Sequence, residues 1–123
     1  MNDEKIDYDL YVSIVRSLPK QSQIILASII KSIEEINSSS KCVETGQVIG
    51  QYQKICNENG INILSDIRVS NLIAELDTLG LINARVISHG RYGRTRKIRM
   101  SFSPVIADRI KAVLSEMDIE GVN

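Results

Sequence analysis

The sequence predicts a mainly α-helical fold with one small β-hairpin. Apolar residues recur at helical spacing in five segments of this 123-residue chain. The spacing changes to every second residue in "LINARVIS" (81–88) and again in "KIRMSF" (97–102), as it does in half-buried strands. The eight residues between these strands, 89–96, hold two glycines and three arginines, which favours a turn with a basic tip.

The first two predicted helices span residues 3–17 and 20–36. Pro19 lies at the start of the second, where a proline is tolerated because the first helical N–H groups have no partner. The apolar stripe of this second helix is wide, which indicates a central helix covered on several sides. The stripe consists of Ile24, Ile25, Ile29, Ile30, Ile33 and Ile36. The polar run "NSSS" at 37–40 then predicts a loop.

A helix–turn–helix unit comes next. "KCVE" predicts a minor strand, and the Thr45 hydroxyl is expected to cap the following helix. Gly60 ends that helix, because glycine adopts the left-handed conformation easily. The second helix of the unit spans roughly 65–79, begins at Ser65 or Asp66 and stops at Gly80. Its predicted core face consists of Val69, Leu72, Ile73, Leu76 and Leu79.

The hairpin and a last helix complete the chain. Apolar residues alternate along both strands, and we expect the outer face of the second strand to carry Thr95, Arg96, Lys97 and Arg99. Ser103 and Pro104 start the last helix, which runs to about residue 117. A helix–turn–helix unit followed by a β-hairpin is the winged helix-turn-helix arrangement.

The charge distribution is strongly asymmetric along a chain of formal net charge +0. The segment from Arg85 to Met100 contains six of the fifteen Arg and Lys residues and no acidic residue. All fifteen acidic residues and nine basic ones lie elsewhere, so the remainder carries a formal charge of −6. Such a basic stretch is the electrostatic footprint of a nucleic-acid-binding surface. The alternative is a solvated hairpin whose charges only prevent aggregation.

Several classes of function find no support in the sequence. Cys42 and Cys56 lack metal-ligand spacing and are expected to be reduced thiols, with a disulfide as the alternative. The single histidine, His89, cannot build a metal site alone, and neither a P-loop nor a paired-carboxylate motif is present. We therefore predict no catalytic site, no metal and no cofactor. An acidic N-terminus and the absence of long apolar runs predict a soluble, cytoplasmic protein.

The second helix of the helix–turn–helix unit and the hairpin tip supply the candidate DNA contacts. That helix has a free face through Ile67, Asn71, Ala74 and Thr78, flanked by Arg68 and Ser70. Arg bonds guanine edges and Asn bonds adenine edges in the major groove. Arginines at a hairpin tip enter the minor groove or contact phosphates. The predicted DNA-binding residues are Arg68, Ser70, Asn71, Arg91, Tyr92, Gly93, Arg94 and Arg96.

Four segments resemble a known family. They are the helix start at Leu18 and Pro19, "VIGQYQKIC", "RVSNLIAELDTLGLI" and the wing "GRYGRT". Together they are similar to the C-terminal winged-helix domain of archaeal origin-recognition initiators, which are related to eukaryotic origin-recognition and cell-division-control proteins. The resemblance covers residues 18–114 approximately and is most specific in the last two segments.

The resemblance implies double-stranded DNA binding at replication origins, with other replication proteins as further partners and a place at the nucleoid. It places recognition-helix contacts near Arg68, Ser70 and Asn71 and wing contacts at 91–94. The family also carries an AAA+ ATPase module that uses ATP and Mg²⁺, which this chain lacks, so we expect a fragment of a longer protein or a stand-alone relative. The predicted organisation is an N-terminal helix or linker over 1–17, a winged-helix DNA-binding domain over 18–117 and a tail over 118–123.

Two other functions are compatible with the same fold. A stand-alone transcriptional regulator would need a dimer interface, which the first or the last helix could provide, whereas an isolated initiator domain is expected to be monomeric. A protein-interaction module would use the basic hairpin to bind an acidic partner, because fold alone does not settle function.

Overall fold

The computed structural model describes residues 3–36, 41–88 and 94–117, with the backbone alone at 3–7, Ser88 and Arg94. Its elements in chain order are α1 (Asp3–Ser17), α2 (Lys20–Glu35), β1 (Val43–Glu44), α3 (Thr45–Asn59), α4 (Asp66–Thr78), β2 (Ile82–Ser88), β3 (Arg94–Met100) and α5 (Pro104–Glu116). The helices, the minor strand and the hairpin confirm the predicted fold class.

Helix α2 forms the centre of the molecule. Every residue from 22 to 30 is buried, and α3, α4 and α5 all pack against this helix. Two of its buried polar side chains donate to main-chain carbonyls: Ser28 to Ile24 at 2.7 Å, and Gln23 to Val15 at 3.0 Å. The wide apolar stripe in the sequence therefore predicted the central helix correctly.

Helix α1 packs against α5 at the edge of this core. The Tyr11 and Phe102 rings lie with their centroids 4.7 Å apart, and Arg16 forms an ion pair with Glu116 at 3.2 Å. Val15 is fully buried, so α1 contributes to the same core as α2. No helix in the described part of the chain is both long and apolar enough to span a bilayer.

The three strands form an antiparallel sheet in the order β1-β3-β2. The side chains of Val43, Ile82 and Ile98 are buried on the face that meets the helices. Strand β3 begins at Arg94, three residues before the predicted start at Lys97. It pairs with β2 along its whole length, from Arg94 opposite Ser88 to Met100 opposite Ile82. The predicted strand began too late because main-chain pairing extends through polar residues that apolar alternation does not mark.

The start of α3 differs from the prediction. Glu44, not Thr45, is the N-cap residue, and its N–H donates to the Gln47 side chain at 2.9 Å. The Thr45 hydroxyl instead accepts a hydrogen bond from the Arg96 N–H at 3.1 Å. The chain turns away from β3 at this point, so a side-chain oxygen supplies the acceptor that β1 would otherwise provide.

The other helix boundaries follow the predicted signals. Gly60 and Gly80 have positive φ angles of 65° and 82°, which glycine tolerates without strain. Ser65 caps α4 and Ser103 caps α5, each through a hydroxyl that accepts a main-chain hydrogen bond. Leu79 was wrongly placed in the core: it follows the last residue of α4 and is 44% exposed. 

Candidate nucleic-acid interface

A buried tyrosine fixes the connector that leads into α4. The Tyr52 hydroxyl donates to the Gln21 side chain at 2.6 Å and accepts from the Leu64 N–H at 2.9 Å. Gln21 also donates to the Asn62 carbonyl at 3.0 Å. Burial raises the pKa of Tyr52, so the phenol keeps the proton that it donates. The start of α4 is thereby tied to both α2 and α3.

Helix α4 presents one uncovered face to solvent. Val69, Ile73 and Leu76 are buried against the core, which turns the opposite side outward. Ile67 is 75% exposed and shares that outward side with Asn71 and Thr78, which are also exposed. The free face predicted from the sequence is confirmed, with Ala74 half-buried within it.

Arg68 and Ser70 flank this face on opposite sides. Residues two positions apart in an α-helix point about 160° away from each other around the axis. Arg68 lines a cleft with Lys20 of α2 and Glu75 of α4. Ser70 lines a different cleft on the side of the sheet. Asn71 lies between the two, so the three predicted helix residues are spread from one margin of the exposed face to the other.

The second cleft lies between α4 and β3, and we call the β2–β3 hairpin the wing and β3 the wing strand. It has a volume of about 180 Å³ and is lined by Thr45, Ser70, Val86, Thr95 and Arg96. Arg96 pairs with Val86 across the strands and is half-buried. The structure thus brings the predicted residues Ser70 and Arg96 to one cleft.

The position of Arg96 corrects one expectation. It was expected on the outer strand face with Lys97 and Arg99, but side chains alternate along a strand. Arg96 therefore shares the inner face with Ile98, which is fully buried, whereas Lys97 and Arg99 share the outer face and are exposed.

The tip of the wing lies outside the described residues. This applies to the predicted contacts Arg91, Tyr92 and Gly93 and to His89. The backbone of Arg94 pairs with Ser88 and forms the first residue of β3. Sequence reasoning missed the role of Thr45 in joining the wing strand to α3, because a hydroxyl beside a strand end carries no signal of its distant partner.

Both cysteines are free thiols, and no metal-binding group of three His, Cys, Asp or Glu residues occurs within the described ranges.

A protein-family comparison matches residues 13–110 to "CDC6, C terminal winged helix domain". The chain is 44% identical over 98 residues to ORC1-type DNA replication protein 1 of Methanosarcina mazei, covering 80% of this chain and 23% of the relative. It is 45% identical over 111 residues to ORC1-type DNA replication protein 4 of Haloarcula marismortui, covering 90% and 20%. The chain thus spans less than a quarter of the length of these relatives.

Two solved structures have a similar fold. The Aeropyrum pernix ORC1 protein in complex with DNA superposes with a TM-score of 0.77 at 29% identity, covering 94% of this chain and 28% of that one. Drosophila ORC bound to DNA gives a TM-score of 0.69 at 22% identity, covering 85% and 25%. The family match extends over most of the helices and the whole sheet described above, so the chain belongs to the family of CDC6 C-terminal winged-helix domains.

Proposed function

We propose that this chain binds duplex DNA at replication origins, as the winged-helix part of a replication initiator. Helix α4 enters the major groove, and the wing contacts the minor groove and the backbone. The observation that carries the proposal is the cleft shared by Ser70 of α4 and Arg96 of β3. Because the helix and the wing strand border one opening, a single duplex can contact both.

The outward face of α4 has the chemistry for reading bases. The Asn71 amide can bond an adenine edge, the Arg68 guanidinium a guanine edge, and the Ile67 side chain the methyl group of thymine. All three side chains are exposed in the first two turns of α4, the part of a recognition helix that contacts bases. Glu75 and Asp77 lie at the other end of the helix, where phosphate repulsion is weaker.

The comparisons support this proposal. The relatives from M. mazei and H. marismortui are DNA replication proteins, and the A. pernix protein was solved in complex with DNA. The matched family is a winged-helix domain, so we propose a binding role and no catalytic one for this chain. Other replication proteins are proposed as further partners, and the nucleoid as the place of action.

Base reading is tested by Asn71→Ala. Fluorescence anisotropy should show a loss of preference for an origin-derived duplex over random duplex of about 1–3 kcal/mol, or roughly 5- to 150-fold. Asn57→Ala, which truncates an exposed Asn on α3, is the matched control and should change neither affinity. Equal losses on both duplexes would make Asn71 a backbone contact. No duplex binding even at low salt would contradict the proposed function and favour a protein-interaction module.

Backbone contact by the wing is tested by Arg96→Gln, Arg91→Ala and Arg94→Ala. Each variant should weaken binding to all duplexes equally and lower the slope of log affinity against log salt by about one unit. Arg109→Gln, on α5, removes the same charge away from the proposed interface. If the wing variants titrate like the Arg109 control, the wing does not contact the duplex. Sedimentation should show a monomer, whereas a dimer would favour a transcriptional regulator.

A further inference from the structure

The outer face of the sheet carries a second group of basic side chains. Asn83 lies directly opposite Arg99, and Arg85 lies directly opposite Lys97, in the β2–β3 pairing. All four are exposed, and together with Cys42 they line a shallow depression of about 160 Å³. We define these four residues as the outer basic face.

The outer basic face is separate from the cleft between α4 and the wing. Strand alternation directs Arg96 to the helix side and directs Lys97 and Arg99 to the opposite side. Arg99 is five residues along β3 from Arg94, a distance of roughly 17 Å at about 3.4 Å per residue. The basic stretch of the sequence is therefore divided between two surfaces, and a straight duplex docked on α4 meets one of them.

The composition of this face favours one kind of ligand. Stable protein interfaces bury an apolar centre with aromatic anchors, and none of the four residues is apolar. Phosphate backbones are bound by basic side chains and by neutral hydrogen-bond donors such as Asn, without an apolar centre. Lys97 and Arg99 are two positions apart on one strand, so their side chains leave the sheet about 6.8 Å from each other. Glu44 pairs in register with Lys97 at the margin of the face.

We infer that the outer basic face binds DNA phosphates beyond the stretch that α4 reads. The inference extends the proposed function and rests on it for the position of the first duplex segment. We assign these phosphates to the flank of the same duplex, bent around the wing, because the outer basic face lies on the same two strands that lead to the wing tip. A second duplex is the other outcome of the test. Both sources share the same chemistry, and the length of the DNA distinguishes them.

The test uses the double variant Arg85→Gln/Arg99→Gln. Duplexes of about 12 and about 30 base pairs, roughly one and three helical turns, are titrated across a range of salt concentrations. If the flank of one duplex is bound, the double variant should lower the salt slope by about two units on the long duplex alone. If a second duplex is bound, the unmodified chain should bind two short duplexes at low salt and the variant one. Lys54→Gln/Arg109→Gln removes the same charge from α3 and α5 as a matched control.

Cys42 provides a second readout, which reports where on the protein the DNA is bound rather than how much net charge it contacts. It is half-buried and lines the depression, whereas Cys56 is fully buried and serves as an internal reference. Alkylation of Cys42 by N-ethylmaleimide, followed by mass spectrometry, should slow when DNA occupies the outer basic face. The double variant should abolish this protection, and the control variant should retain it.

Three results would overturn the inference. They are equal effects of the double variant and its control, unchanged DNA binding by the double variant, and Cys42 alkylation that DNA does not slow. Unchanged DNA binding would indicate that the outer basic face binds an acidic protein partner instead. The Asn71→Ala measurement separates this failure from failure of the proposed function. If Asn71→Ala loses the origin preference while Arg85→Gln/Arg99→Gln binds DNA like the unmodified chain, only the inference is overturned. If Asn71→Ala changes nothing while Arg85→Gln/Arg99→Gln weakens DNA binding, docking through α4 is overturned and the phosphate site on the outer basic face is supported.

Discussion

Helix α4 and the wing are held by the core in different ways. Three side chains of α4 are buried, and the hydroxyl of Tyr52 ties its connector to α2. Among the described side chains of β2 and β3, Ile82 and Ile98 at the base of the hairpin are the buried ones, and Val86 farther along β2 is 51% exposed. An element that reads bases needs a fixed position, because hydrogen bonds to base edges depend on direction, whereas contacts with phosphates depend mainly on charge. This difference agrees with the proposed roles, in which α4 reads bases and the wing contacts the backbone.

The largest contrast between the two regions should appear on truncation of apolar residues. Ile73→Ala in α4 is expected to lower the free energy of unfolding by about 2–5 kcal/mol, because it leaves a cavity in the core. Val86→Ala in the wing should change it by about 0.5 kcal/mol or less, since half of that side chain already contacts water. Urea unfolding followed by circular dichroism measures both. Similar losses would mean that the wing contributes to the core as much as α4 does.

Removal of the Tyr52 hydroxyl should have the next largest effect. Tyr52→Phe leaves the Leu64 N–H without its partner and should destabilise the fold by about 1–3 kcal/mol. Tyr11→Phe is the matched control, because no hydrogen bond to the Tyr11 hydroxyl occurs among the described residues, and it should be nearly neutral. Hydrogen exchange should show faster opening at Leu64. An unchanged exchange rate there would show that the hydroxyl does not hold the connector.

The corresponding contact in the wing should be weaker. Thr45→Val removes the acceptor for the Arg96 N–H and should destabilise the protein by about 0.5–1.5 kcal/mol. Thr78→Val on the exposed side of α4 loses a local hydrogen bond to the Ala74 carbonyl and should cost less. Exchange of the Arg96 amide, measured by NMR, should accelerate in the first variant and not in the second. If it does not accelerate, the wing strand is held by its pairing with β2 alone.

The smallest effect should be a loss of stability at alkaline pH. Burial raises the pKa of Tyr52 above its ordinary value of 10.0 and the pKa of the Cys56 thiol above 9.0. Each group favours its neutral form in the folded protein, so its contribution is complete below the unfolded pKa. The contribution is lost as the pH rises through the higher folded pKa. Unfolding midpoints should therefore fall as the pH rises above about 9, and Tyr52→Phe should reduce this fall. A flat profile in the unmodified protein would contradict the effect of burial.

Two of the mistakes in the sequence prediction share a cause. Thr45 was expected to cap α3, Arg96 was placed on the outer strand face, and β3 was started at Lys97. Two of them depend on a partner distant in the chain: Thr45 bonds to Arg96 across 51 positions, and β3 is extended by its pairing with β2. The face of Arg96 follows instead from the alternation of side chains along its own strand. Local propensity carries no information about such partners.

What the sequence determined by itself is the set of elements and their order. Helical and alternating apolar spacing, together with glycines at Gly60 and Gly80, depend on short-range backbone geometry and can be read locally. Only the tertiary structure decided which elements each side of the basic stretch meets, with Arg96 in a cleft beside α4 and Lys97 and Arg99 in a depression on the far side of the sheet. The physical reason is that strand register and sheet packing assign each side chain to a face, and both depend on contacts between residues far apart in the chain.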